Sequence, residues 1–300
     1  MKNNLYAFSL VVLTFLLSCA EKKVSHIIDG FSLPEGAVSD GQFIYISNVG
    51  KNFKPLDKDG DGFISKLTPD GKIVALHFLP SSDTLNSPKG MAVINHILYV
   101  TDIDRIVGYN LSNKKKVYDL SFAQEGTQLL NDLAVRDDHT LFVSAMDIDK
   151  IFVVTVDTPA YTLMKLDQPI KKPNGLFWDA STRKLYLGMF GREGNANGKK
   201  GDIGVISFDK GYPQYNQLSD YQGNIDGVLV MDNTLFFTDW LAYGPSKGTL
   251  RSMDLTTKEV KDVIDEKIDG SGDFYFDEKT GNVWIPMMKE NKVLIHALQK

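Results

Sequence analysis

Ile225-Asp226-Gly227-Val228-Leu229-Val230-Met231-Asp232-Asn233-Thr234-Leu235-Phe236-Phe237-Thr238-Asp239-Trp240 is the stretch that decides the fold. It reads as a loop carrying Asp226-Gly227, a strand, an Asp232-Asn233 turn, and a second strand ending at Thr238-Asp239. Two short apolar runs about an Asp/Asn turn make a β-hairpin. A lone hairpin cannot bury its faces in water, so this stretch needs copies of itself.

The chain supplies them. Hairpins of the same form open at Leu33-Pro34-Glu35-Gly36, Ser87-Pro88-Lys89-Gly90, Leu130-Asn131-Asp132, Pro173-Asn174-Gly175 and Gly270-Ser271-Gly272-Asp273. Each is followed by two further strand-like runs except the last, which ends after Val293-Leu294-Ile295-His296. Four strands per repeat at a period of about forty to fifty residues mark a β-propeller. The last repeat lacks a fourth strand, and His26-Ile27-Ile28-Asp29-Gly30-Phe31 is spare at the other end. Donated across the ring, it leaves no open edge. The expectation is an all-β, six-bladed propeller over residues 26–300, closed by an N-terminal strand. A seventh, degenerate blade would need residues that the chain does not have left over.

Composition agrees with one large core. The 300 residues are 43% hydrophobic. A formal net charge of -5 leaves no basic excess to neutralise phosphates, which speaks against a nucleic-acid partner. The single cysteine excludes an intramolecular disulfide. It ends an apolar run, Leu5 to Leu17, that is shorter than the about 20 residues a membrane-spanning helix needs and suits a signal peptide. Leu16-Leu17-Ser18-Cys19 resembles the lipobox of bacterial lipoproteins. The resemblance implies a signal peptide over residues 1–18, lipid on Cys19, and a tether over 19–25. The protein is then expected at the cell envelope, outside the cytoplasm, meeting the membrane only through its lipid.

Two insertions lengthen the ring, one between Asn48 and Gly62 and one between Gly191 and Gly201. The first ends in Asp57-Lys58-Asp59-Gly60-Asp61-Gly62, which matches the start of an EF-hand loop. Thr68 stands where that loop takes a bidentate Glu, and no helix pattern flanks it. Asp57, Asp59 and Asp61 are read as a possible second calcium loop or an acidic turn, with both readings open.

The opening loops carry the candidate chemistry. In a propeller the first strand of each blade lines the axis, so the loops feeding those strands converge at a channel mouth. They bring Glu35, Lys89, Asn131, Asp132, Asn174, Asp226 and Asp273 together. Carboxylates and carboxamides about one axis suit a hard cation. Asp and Asn also cap turns for backbone reasons alone, but that does not explain their recurrence at one position of the repeat. The five histidines fall away from these loops and read as structural.

The ordered set Glu35-Gly36-Ala37-Val38, Leu130-Asn131-Asp132, Pro173-Asn174-Gly175 and Asp226-Gly227 resembles the senescence marker protein, gluconolactonase and luciferin-regenerating enzyme family. That resemblance implies a six-bladed propeller holding a divalent cation, usually calcium, and a lactonase-like activity. It implies Glu35, Asn174 and Asp226 as metal ligands, with Asn131 a further ligand or a substrate contact. Leu129 stands where lactonases of the family often place a substrate-binding Arg, and Leu133 where they tend to have Gly. Two functions remain open at this stage. One is a calcium-dependent hydrolase of a lactone or similar cyclic ester, with Asp226 catalytic and Asn131, Lys89 and Asp132 against a small-molecule substrate. The other is a non-catalytic propeller that binds a ligand or protein with calcium as a structural plug.

Overall fold

A computed structural model describes residues 25–191, 200–209, 211–243 and 247–298. The expected signal peptide, Cys19 and nearly all of the tether lie outside the described residues, as do residues 192–199 of the second insertion.

Strand β1 (His26–Asp29) precedes six hairpin-built repeats. Blade one is β2 (Pro34–Ser39), β3 (Ile44–Asn48), β4 (Phe63–Leu67) and β5 (Ile73–Leu79). Blade two is β6 (Pro88–Ile94), β7 (Ile97–Asp102), β8 (Arg105–Asn110) and β9 (Lys116–Ser121). Blade three is β10 (Leu130–Asp137), β11 (Thr140–Ala145), β12 (Lys150–Thr155) and β13 (Ala160–Leu163). Blade four is β14 (Pro173–Asp179), β15 (Lys184–Met189), β16 (Gly201–Ser207) and β17 (Gln214–Gly223). Blade five is β18 (Ile225–Met231), β19 (Thr234–Asp239), β20 (Thr249–Asp254) and β21 (Val260–Asp262). Blade six is β22 (Tyr275–Asp277), β23 (Asn282–Met287) and β24 (Lys292–Ala297), completed by β1. Every pairing is antiparallel, and β1 meets β24 in the register His26↔Ile295 to Asp29↔Lys292.

The core is distributed over the joints between blades. One cluster joins blades two and three through Tyr99, Tyr118, Phe122 and Phe152. Another joins blades six and one through Ile28, Ile44, Trp284 and Val293, so the closing strand contributes packing as well as hydrogen bonds. Because each sheet is covered on both faces, the inner strands are apolar runs without alternation. All five residues of β3 are buried.

Five first strands carry a register shift at the same place: Pro34/Ala37, Pro88/Met91, Leu130/Leu133, Pro173/Leu176 and Ile225/Val228. In blade six the bridge Ser271↔Met287 precedes Tyr275↔Trp284, leaving the same kind of gap. The bulge frees two residues from the ladder and turns them toward the axis. In four blades the second of the pair is glycine, and its reason is space. A Cβ on Gly175 would stand 1.9 Å from the Asp226 carbonyl oxygen and one on Gly90 2.5 Å from that of Asn131; in blade six Gly272 makes a similar approach, 2.2 Å from the Glu35 carbonyl oxygen. Buried hydroxyls stitch the bulges together. Ser144 Oγ accepts from the Asp132 amide at 2.9 Å and donates to the Asn174 carbonyl of the next blade at 2.7 Å. Thr238 Oγ1 accepts from the Gly227 amide and donates to the Gly272 carbonyl. The Asp273 amide then donates to the Glu35 carbonyl at 2.8 Å, which joins blade six to blade one.

This geometry yields a graded prediction. Gly175→Ala should lower stability by about 1–3 kcal/mol or more, the range for forcing extra volume into a packed core. Gly36→Ala, whose Cβ would meet its nearest atom at 3.0 Å, should cost less. Urea unfolding of the two variants checks the order.

Candidate functional site

The structure revises where the candidate residues sit. They are bulge residues inside the first strands, not loop residues at a mouth; Asp226 and Gly227 belong to β18. Glu35, Lys89, Asn131, Asp132, Asn174 and Asp226 are all buried, from 2% to 7% exposed. The cause is the bulge itself, which lets the first strand continue inward while pointing these side chains at the axis.

Asp226 is the best-anchored member. Its Oδ1 accepts from Asn174 Nδ2 at 2.9 Å, and its Oδ2 accepts from Trp240 Nε1 at 2.5 Å. Asn174 Nδ2 also donates to the Ile225 carbonyl, which fixes the carboxamide with its oxygen free. That Asn174 Oδ1 and Glu35 Oε2 are buried acceptors without a hydrogen-bond partner. Among the described residues nothing hydrogen-bonds the Asn131 side chain.

Lys89 and Asp132 are committed to the scaffold. Lys89 Nζ donates to Ser87 Oγ and to the carbonyls of Ser87 and Pro55, so it ties the first insertion to the ring. Asp132 accepts from the Leu133 amide at 2.6 Å and, across the joint to blade four, from the Leu176 amide at 2.7 Å.

Electrostatics follow from burial. It pushes the Asp226 carboxyl up to about 7; the Trp240 N–H opposes this and the Asp132 charge adds to it. Burial also pushes Asp132 up to about 7, against the Leu176 and Leu133 amides. Glu35 is raised well above the carboxylate range by burial, then by Asp226, with Lys89 opposing. Asp273, which partly faces the axial cavity, is raised by burial and then by Asp132, Asp226 and Glu35. Lys89 is lowered by burial, against the attraction of Glu35, Asp102 and Asp226. Four carboxyls thus share the axis with one ammonium, which cannot neutralise them all when they are ionised. Free acceptor oxygens in an acidic, buried ring fit a hard cation with oxygen ligands. Among the described residues no three His, Cys, Asp or Glu side chains already gather to hold a metal ion. A cation in the ring would therefore have to draw on carboxamide oxygens as well as carboxylates.

The structure does not gather Asp57, Asp59 and Asp61. Asp57 pairs with Lys54 at 2.9 Å, Asp61 accepts from the Lys51 amide, and Asp59 receives a 3.5 Å contact from the Asp61 amide. The neighbouring Lys58 reaches across to Asp104. The five histidines all lie in outer strands or turns, away from the ring.

Two features escaped the sequence reading. The first is Trp240, whose indole touches Asp226. The second is a repeated apolar position: the residue after each second strand is Val49, Ile103, Met146, Phe190, Trp240 or Met288. Five of these six pack with Leu33 and Leu241 into one cluster at the end of the axis where the first strands begin. The polar ring lies between this annulus and a cavity of about 520 Å³, which is walled by first strands and reaches Asp132 and Asp273.

Among solved structures the chain is similar to selenomethionine-substituted virginiamycin B lyase from Staphylococcus aureus, with TM-score 0.59 and 16% identity, covering 93% of this chain and 100% of that one. It is similar to the β-propeller domain of Myceliophteria thermophila Cps50 (Swd1), with TM-score 0.60 and 9% identity, covering 92% and 100%. A streptogramin B lyase gives TM-score 0.56 and 15% identity, covering 92% and 98%. At these identities the likeness shows the propeller fold. No family model and no curated sequence matches the chain.

The raised carboxyls set a pH dependence. An acid whose folded pKa lies above its unfolded value contributes stability below the unfolded pKa and loses it as pH rises through the folded one. With divalent cations chelated, stability should fall as pH rises from about 4 through about 7, where Asp226 and Asp132 titrate. Asp226→Asn should flatten that fall by something on the order of 1 kcal/mol or more. Thermal melts of both proteins across this window, in chelator, measure it.

Proposed function

We propose that the chain is a calcium-dependent hydrolase of a lactone or similar cyclic ester, held at a bacterial cell envelope by lipid on Cys19. The observation that carries the reading is the pair of buried, unpartnered acceptors, Glu35 Oε2 and Asn174 Oδ1, beside the anchored carboxyl of Asp226. The ordered motifs resembling the senescence marker family support it. Glu35, Asn174 and Asp226 would hold the ion, with the Asn131 carboxamide available to ion or substrate. Calcium, when bound, supplies a Lewis acid for the ester carbonyl.

The remaining work belongs to the chain. The Trp240 and Asn174 N–H groups hold both oxygens of Asp226 in place, and each oxygen keeps a second lone pair. An Asp226 oxygen held in this way could take a proton from water as a positioned general base. The Lys89 donors are filled, so its contribution to a substrate is charge alone.

A specific observation favours the second reading, a non-catalytic propeller with calcium as its plug. The ring is buried under an apolar annulus, with Asp226 only 4% exposed. The two readings separate in one set of assays. Asp226→Asn keeps an oxygen ligand and removes the base, so calorimetry should still find calcium bound while lactone hydrolysis drops about 10²- to 10⁴-fold. Glu35→Gln should mainly weaken calcium. Unchanged hydrolysis by Asp226→Asn would end the catalytic assignment. Tight calcium without turnover of any lactone would favour the plug. For the anchor, Cys19→Ala should move the protein from the membrane pellet to the soluble fraction; a variant that still pellets removes the lipid.

A further inference from the structure

The annulus above the ring is built from the same position in every blade, and that position is apolar every time. Leu33, Val49, Phe190, Trp240 and Met288 form its packed part, and Met146 lies against them. Trp240 belongs to both layers: its ring meets Phe190 at 5.8 Å between centroids, and its Nε1 donates to Asp226. The apolar surface continues outward. Phe53 lies 6.3 Å from the Trp240 ring and is 45% exposed. Leu56, on the same insertion, is 48% exposed. The Lys289 ammonium stands over the Phe53 and Trp240 rings at 5.7 and 5.1 Å.

We infer that this annulus and its Phe53 rim set the substrate class: the site serves lactones that carry an alkyl or aryl substituent, not polyhydroxylated sugar lactones. The inference rests on the reading of the ring as an ester-hydrolysing centre. Two opposite effects support it. Each methylene that leaves water for the apolar annulus favours the substituted lactone by about fourfold. Among the described residues of the annulus, each sugar hydroxyl brought there loses its water partners and finds no replacement, which costs on the order of tenfold. Among the described residues the polar groups at the annulus itself are taken, and the free ones, Glu35 Oε2, Asn174 Oδ1 and the Asn131 carboxamide, belong to the ring beneath it. The Trp240 N–H is held by Asp226, Lys89 Nζ by Ser87 and Pro55, and the Asp132 oxygens by backbone amides. An annulus made for sugars would place free donors and acceptors at these six positions, and none of the six side chains supplies one.

The test compares a series of γ-lactones of increasing alkyl length with gluconolactone, on the calcium-loaded protein and on Phe53→Ser. Phe53 is half-exposed at the rim, so this variant should fold, and its melting curve checks that. The expected result is a kcat/KM that climbs with chain length and exceeds that for gluconolactone by tenfold or more. Phe53→Ser should lower it for the long-chain substrates by roughly fivefold, through KM, and leave the shortest lactone unchanged. Faster turnover of gluconolactone, or no dependence on chain length, overturns the inference and leaves the hydrolase reading intact. If no lactone is hydrolysed, the hydrolase reading falls, and calorimetry with the matching alkyl lactams decides what remains. Affinity that rises with chain length and weakens in Phe53→Ser upholds the apolar mouth; no binding overturns it.

Discussion

The ring depends on one close approach, in which the bulge glycine of one blade lies against the bulge backbone of the next. At Gly175 the Asp226 carbonyl occupies the space a methyl group would need, and at Gly272 the Glu35 carbonyl does the same. Six first strands can crowd one axis only if their backbones touch in this way. The bulge makes the contact possible, because the residue before the glycine is released from the ladder and turned inward. The buried hydroxyls of Ser144 and Thr238 then link amide to carbonyl across the joints, so the crowded backbone groups are paired. Scaffold and candidate site are therefore the same structure: the contact that fixes the blades also aims Glu35, Lys89, Asn131, Asn174 and Asp226.

This arrangement makes the site electrostatically incomplete. The axis holds Glu35, Asp132, Asp226 and Asp273 against one lysine. Some of that charge is offset internally, through Trp240 and Asn174 for Asp226 and through two amides for Asp132. Glu35 Oε2 has no such partner. Protons or a cation must supply what the protein does not, and the two compete for the same oxygens.

Much of this was legible in the sequence because it lies within a repeat. The six hairpins, the short last blade and the spare strand at His26–Asp29 follow from local patterns of about ten residues. The oxygen ligands could be expected to converge because they recur at one position of the repeat. What was not legible runs between blades. The Asn174–Asp226 contact spans 52 positions and the Asp132–Leu176 contact 44, and no periodicity announces either partner. The contact of Lys89 with the Pro55 carbonyl, 34 positions away, was likewise not announced by any pattern. Asp226-Gly227 read as a loop because Asp-Gly marks turns; the bulge uses the same residues within a strand. The acidic run Asp57-Asp61 matched a calcium loop in spacing, but its carboxylates are distributed among Lys54 and the Lys51 and Asp61 amides. The annulus was visible in principle, as an apolar residue after each second strand, and was obscured because single apolar residues at strand ends are common.

The pairing of β1 with β24 has a consequence in time. Among the described strands, the first to be made pairs with the last to be made. At about 5–20 residues per second, roughly 260 further residues take on the order of 10–50 s to appear. Throughout that interval His26–Asp29 has no ladder to join, and each blade that forms shows an uncovered apolar face where the next will pack. The ring cannot be latched until β24 has been made. A propeller of this design therefore matures in one late event, and any factor that shields nascent strand edges has the whole of synthesis in which to act.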